Sequence, residues 1–93
     1  MEADGKLAAT ARIANKRGLH ARASAKIVEA AARFQAEITI LKDGQRVNAR
    51  SIMGLMMLAA SQGSDIGLEA EGPDAAAAMT AMLALIEAKF GEE

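Results

Sequence analysis

Cysteine is absent from the chain, which excludes disulfides and thiolate chemistry. One histidine and no cysteine leave no zinc site of the usual ligand types, so neither a metal nor a cofactor is expected. The only aromatic residues are Phe34 and Phe90, so there is no platform on which bases could stack. A formal net charge of −1 supplies no basic stripe to follow a nucleic-acid backbone. Nucleic acid is therefore not an expected partner. The opening segment Met1-Glu2-Ala3-Asp4-Gly5-Lys6 is polar and acidic; it lacks the basic and apolar regions of a signal peptide. No uncharged apolar run reaches the ~18 residues needed to span a bilayer. These absences lead to the expectation of a cytoplasmic protein with no direct membrane insertion.

What is present is globular in composition, with 52% hydrophobic and 25% charged residues. The length of 93 residues implies one domain, residues 1–93 with a core from about 7 to 90. A chain of this size buries roughly 60–70% of its unfolded surface, enough for one modest core. With so few aromatics, that core must be built from Leu, Ile, Val, Met and many Ala.

Residues Leu7 to Ile13 alternate, with Leu7, Ala9, Ala11 and Ile13 on one side, which predicts a half-buried strand. A polar loop, Asn15-Lys16-Arg17-Gly18, leads to Leu19-His20. From Ala21 to about Phe34 the period becomes helical, with Ala23, Ile27, Ala30, Ala31 and Phe34 on one face. Glu37 to Lys42 is a second strand, Asp43-Gly44 a two-residue hairpin turn, and Gln45 to Asn48 a third strand. Ser51 stands where an N-cap belongs, ahead of a short helix from Ile52 that Gly54 should weaken. Ile66, Leu68 and Ala70 mark a fourth strand; after Gly72-Pro73-Asp74, a last helix buries Ala75, Met79, Met82, Leu83, Ile86 and Phe90, with Gly91 as its stop. The order βαββαβα predicts an α+β open-faced β-sandwich, a four-stranded antiparallel sheet with three helices packed on one face.

The most informative segment is Gly18-Leu19-His20-Ala21-Arg22-Ala23, where the only histidine falls at a loop–helix junction. The first turn of a helix offers unpartnered N–H groups and positive potential, a setting that favours phosphate. An imidazole with an unperturbed pKa of ~6.5 keeps a free lone pair near neutral pH. Arg22 could add charge-assisted hydrogen bonds to the same phosphate oxygens. Nothing nearby in the sequence supplies a carboxylate base or a nucleotide cradle, so the chain reads as a recipient of phosphate rather than a kinase. On these residues alone, a merely capping or surface histidine remains the alternative.

The segment from Gly18 to Ala25 resembles the active-site segment of the HPr family, the phosphocarriers of the phosphoenolpyruvate-dependent phosphotransferase system, and Asn15 fits the family's approach loop. A second block, Val47-Asn48-Ala49-Arg50-Ser51-Ile52-Met53-Gly54-Leu55-Met56, is similar to the family's regulatory-serine segment and places Ser51 31 residues after His20. The likeness extends from about Leu7 to Phe90.

The resemblance implies a carrier that is not itself a catalyst. His20 would be phosphorylated on Nδ1 by phospho-enzyme I and would pass the group to a histidine of an EIIA protein or domain. Arg22 would steady the phosphate. The family usually has proline where Ala23 stands, a change that leaves the geometry at the start of the helix open.

For Ser51, capping is the plain reading and is worth ~0.5–2 kcal/mol. The resemblance adds regulatory phosphorylation by an HPr kinase/phosphorylase, which would place a charge of about −1.5 to −2 at that helix start. By spacing, Leu55 and Leu58 share the core face, while the methionines are either core filler or an adaptable binding surface. The resemblance makes Ile52, Met53 and Met56 a partner-docking patch and leaves Met57 open. A monomer is the natural form for a shuttle. Two alternatives of purpose stand beside sugar transport: a nitrogen-related regulatory branch, and a regulatory protein-binding module without phosphate flow.

Overall fold

In the computed structural model, residues 6–92 are described. The elements run β1 (Leu7–Arg12), α1 (Ala21–Ala31), β2 (Glu37–Lys42), β3 (Gln45–Asn48), α2 (Ile52–Met57), β4 (Asp65–Glu71) and α3 (Ala75–Glu87), followed by a short 3₁₀ turn, Lys89–Gly91. The four strands form one antiparallel sheet in the order β1-β4-β2-β3. The register sets Ala9 opposite Leu68 and Leu68 opposite Ile40, which in turn faces Val47. Directly paired residues share a sheet face, so this row lies beneath the helices. The opposite face carries Thr10, Gly67, Leu41 and Arg46. This is the expected open-faced arrangement.

The hairpin follows from its turn residues. Asp43 and Gly44 adopt φ 51° and 82°, as a type I′ turn requires. The core gathers Ile13, Ile27, Ile38, Ile40, Leu55, Leu58, Ile66, Leu68, Met82, Ile86 and Phe90.

Two helices end earlier than periodicity suggests. α1 stops at Ala31 rather than Phe34, and the Arg50 guanidinium donates to the carbonyls of Ala31 (3.3 Å) and Phe34 (2.8 Å). A side chain distant in sequence thus ties down the turn in which the helix ends, adding to the bond from the Phe34 amide to the Ala31 carbonyl. α3 stops at Glu87, not at Gly91. Lys89, Phe90 and Gly91 then take φ values of 57°, 57° and 75°.

That left-handed turn costs roughly 1–2 kcal/mol at each of its two non-glycine residues. Full burial of Phe90 returns roughly 1.5–3 kcal/mol. The Lys26 ammonium, which donates to the Phe90 carbonyl, adds a further ~1.5–3 kcal/mol as a charged hydrogen bond. Phe90 is therefore core, as its spacing indicates, but it is delivered by a reversal of the chain and not by the helix.

Gly54 also has a different meaning from the expected weakness. A Cβ there would lie 3.1 Å from Val47 Cβ and 3.0 Å from Ser51 Oγ. Its bare α-carbon lets α2 settle closely onto β3. Among the described residues, no helix is long and apolar enough to cross a membrane, and no group of three or more His, Cys, Asp or Glu could hold a metal ion.

Candidate functional site

The loop between β1 and α1 is built around Gly18. It takes φ +64°, and a Cβ at this position would run into the Ala60 carbonyl and come within 2.8 Å of Ser61 Cα. Only glycine allows both the conformation and the approach. The loop is then pinned to the α2–β4 connection, where the Leu19 amide donates to the Ala60 carbonyl at 2.9 Å. Asn15 is almost fully buried, and its Nδ2 donates to Gly18 O at 2.9 Å. The buried Ser24 hydroxyl donates to Leu19 O at 3.3 Å. Together these bonds deliver His20 to the start of α1 with extended backbone angles, φ −77° and ψ −179°.

His20 is the N-cap of α1. Its Nδ1 accepts a hydrogen bond from the Arg22 amide at 3.3 Å, so the ring is turned toward the beginning of its helix. The capping alternative and the phosphate-acceptor reading thus describe one and the same placement. Ala23, where the family usually has proline, is fully buried in the first turn, and the helix begins intact at Ala21.

On the other edge of the ring, Nε2 is hydrogen-bonded to the Glu92 carboxylate. The second oxygen of that carboxylate accepts from Asn15 Nδ2 at 3.0 Å. The His20 ring, followed by Asn15, holds the Glu92 carboxyl below the usual carboxylate range. Sequence reading expected no carboxylate near this histidine. The structure corrects that, because the turn after α3 folds Glu92 back across the site from 72 positions away.

Lys16, Arg17, Arg22 and Glu92 line a concavity of about 340 Å³, and two of them meet the His20 ring, Arg22 through its amide and Glu92 through its carboxylate. Arg22 is where the sequence puts it, next to His20. By sequence, Lys16 and Arg17 count only as polar residues of a loop. Their signal is two adjacent cations directly ahead of a glycine, three and four residues before the histidine. Three cationic side chains bordering one hollow make a setting for an anion with several oxygens.

Ser51 lies elsewhere, at the start of α2, where its Oγ accepts from the Gly54 amide at 3.0 Å. α2 packs against α1. It turns Leu55 and Leu58 inward and leaves Ile52, Met53, Met56 and Met57 exposed, with Met57 the most open at 73%.

The family profile described as "PTS HPr component phosphorylation site" matches residues 7–88. The chain belongs to the HPr family. Phosphocarrier protein HPr of Cupriavidus necator is 54% identical over 80 residues, covering 86% of this chain and 90% of that protein. A crystal structure of HPr from Thermoanaerobacter tengcongensis superposes with a TM-score of 0.90 at 49% identity, covering 94% of this chain and 98% of that one. Phosphocarrier protein NPr of Shewanella violacea is 48% identical over 80 residues, covering 86% of this chain and 88% of that protein. As an HPr-family member, the chain is a phosphocarrier of the phosphotransferase system.

Proposed function

We propose that His20 is the phosphoryl acceptor and that the group is carried on Nδ1. The observation that supports this is the direction of the ring: Nδ1 faces the first amides of α1, beside the hollow bordered by Lys16, Arg17 and Arg22. The bond from the Arg22 amide is long, so it yields easily to an incoming phosphoryl oxygen, which the same N–H can then hold. Arg22 steadies the oxygens by charge-assisted hydrogen bonds. The donor is the phosphohistidine of enzyme I and the acceptor is a histidine of an EIIA protein or domain. Both bonds are N–P bonds of similar free energy, so the group moves reversibly and this chain serves as a cytoplasmic, monomeric carrier rather than a catalyst. The stretch from about 7 to 90 acts as one carrier domain.

Ile52, Met53 and Met56 are the docking patch, and exposed Met57 extends it. Four apolar side chains on a helix of six residues suit a surface that must fit more than one partner. Ser51, exposed at the edge of that patch, is the regulatory position. Phosphate added there by an HPr kinase/phosphorylase would be tolerated by the helix start and resisted by an acidic partner.

Incubation with enzyme I and phosphoenolpyruvate tests the main assignment. An acid-labile, base-stable phosphate is expected on the protein and is lost in His20→Ala. If that variant keeps the label, His20 is not the acceptor. Incubation with an HPr kinase and ATP tests the second site, where Ser51→Ala should remove an acid-stable phosphate.

A further inference from the structure

We propose that Glu92 is a positioning residue for the phosphoryl transfer: its carboxylate fixes the His20 ring in one tautomer and stabilises the positive charge that the ring acquires as Nδ1 is phosphorylated. This rests on the carrier chemistry set out above and assigns to that chemistry a residue remote from the histidine in sequence.

Two contacts agree on the tautomer. A carboxylate only accepts hydrogen bonds, so its bond with Nε2 places the ring proton on Nε2. The Arg22 N–H can only donate, so Nδ1 presents its lone pair to the helix start. Neutral imidazole can carry its proton on either nitrogen, and the two contacts independently select Nε2. The partners are themselves held. Asn15, 1% exposed, bridges the Gly18 carbonyl and Glu92 through Nδ2. The buried Phe90, with Lys26 on its carbonyl, anchors the turn that delivers the carboxylate.

In the transfer step the Nδ1 lone pair forms a bond to phosphorus as the donor's N–P bond breaks, and that electron pair returns to the donor imidazole. The proton on Nε2 stays where it is. The His20 ring passes from neutral to cationic, with the charge shared between its nitrogens. Before transfer, Glu92 meets a neutral N–H; afterwards it meets a cation. An interaction that strengthens along the reaction favours the phosphorylated state. Lys16, Arg17 and Arg22, which line the same hollow, oppose a cationic ring but attract the phosphoryl oxygens. Glu92 is the carboxylate among these lining residues and so balances the ring directly.

The test compares wild type with Glu92→Gln, which keeps an oxygen for the Nε2 proton and removes the charge. The equilibrium share of phosphoryl group drawn from phospho-enzyme I should fall about tenfold, with Glu92→Asp recovering part of it. Ring ¹⁵N NMR of the neutral, unphosphorylated protein should show a protonated Nε2 in wild type and a mixture of tautomers in Glu92→Ala. An unchanged phosphoryl equilibrium in Glu92→Gln, or a wild-type ring protonated on Nδ1, overturns the proposal. If wild type itself takes no acid-labile phosphate, it is the carrier reading that fails, and the NMR result still reports on the Glu92 contact separately.

Discussion

The two helix starts, at His20 and at Ser51, carry the same backbone feature in different surroundings. Both residues are N-caps with extended backbone, and both side chains accept from an amide of the first turn. Ser51 does this at 3.0 Å from an exposed position edged by Ile52, Met53 and Met56. His20 does it at 3.3 Å, with its ring 15% exposed, clasped by a carboxylate and bordered by cations. Ser51 is a good cap. His20 is a poorer one, with a longer cap bond and a carboxylate clasping the far edge of its ring. On the proposed roles, first-turn amides serve a carrier histidine at one start and a regulatory serine at the other, so the amides alone do not set the chemistry. An imidazole whose Nδ1 accepts from the Arg22 amide, and a border of three cations, distinguish one start from the other.

The largest effect that would break this contrast is expected at Gly18. Gly18→Ala combines left-handed backbone with a collision against the Ala60 carbonyl, and should cost ~2–4 kcal/mol in urea unfolding. Gly44→Ala, whose Cβ would meet nothing within 4 Å, should cost clearly less. Equal losses would mean that the loop does not depend on the close approach. Next comes Arg22→Ala. Removing one charged donor from the hollow should slow phosphoryl transfer from enzyme I by about 10–100-fold while leaving the unfolding midpoint nearly unchanged. Quenched-flow labelling would measure it.

The two caps can then be compared directly. Ser51→Ala should cost ~1 kcal/mol of stability, whereas His20→Ala should cost only a few tenths through the cap. A reversal of that order in a Glu92→Ala background, where the carboxylate contact is already gone, would refute the account of His20 as a poor cap.

The smallest effect serves as a control on the open face of the sheet, away from both helix starts. Glu69 there accepts from Arg46 at 2.6 Å and meets Lys6 at 3.2 Å, and chiefly the Arg46 bond pulls its carboxyl below the ordinary 4.5. A folded-state pKa lowered in this way contributes stability that is present above about 4.5 and is lost as pH falls through the lower folded value. Thermal unfolding should therefore show a shallow loss of stability below that point, flattened in Arg46→Ala, with phosphoryl transfer unaffected.

Much of the fold could be read from the sequence because its signals are local. Alternation in β1, the Asp43-Gly44 turn and the apolar face of α1 each declare themselves within a few residues. What stayed hidden depends on partners far away in the chain. The end of α1 answers to Arg50, and the end of α3 to the burial of Phe90 and its bond from Lys26. Gly54 looked like a flaw in a helix until β3 appeared beneath it. At the site, His20 and Arg22 stand together at a loop–helix junction, and Asn15 is legible through the family resemblance. Glu92 is not legible, since no periodicity encodes a left-handed reversal that carries a residue back to a distant ring.

The bond from the Leu19 amide to the Ala60 carbonyl ties the loop before α1 to the segment just after α2. A protein that grasps the methionine face of α2 thereby grips the mount on which the imidazole sits. If partners dock there as proposed, recognition needs no message relayed through the core, because the handle and the cargo hook are fastened to the same bracket.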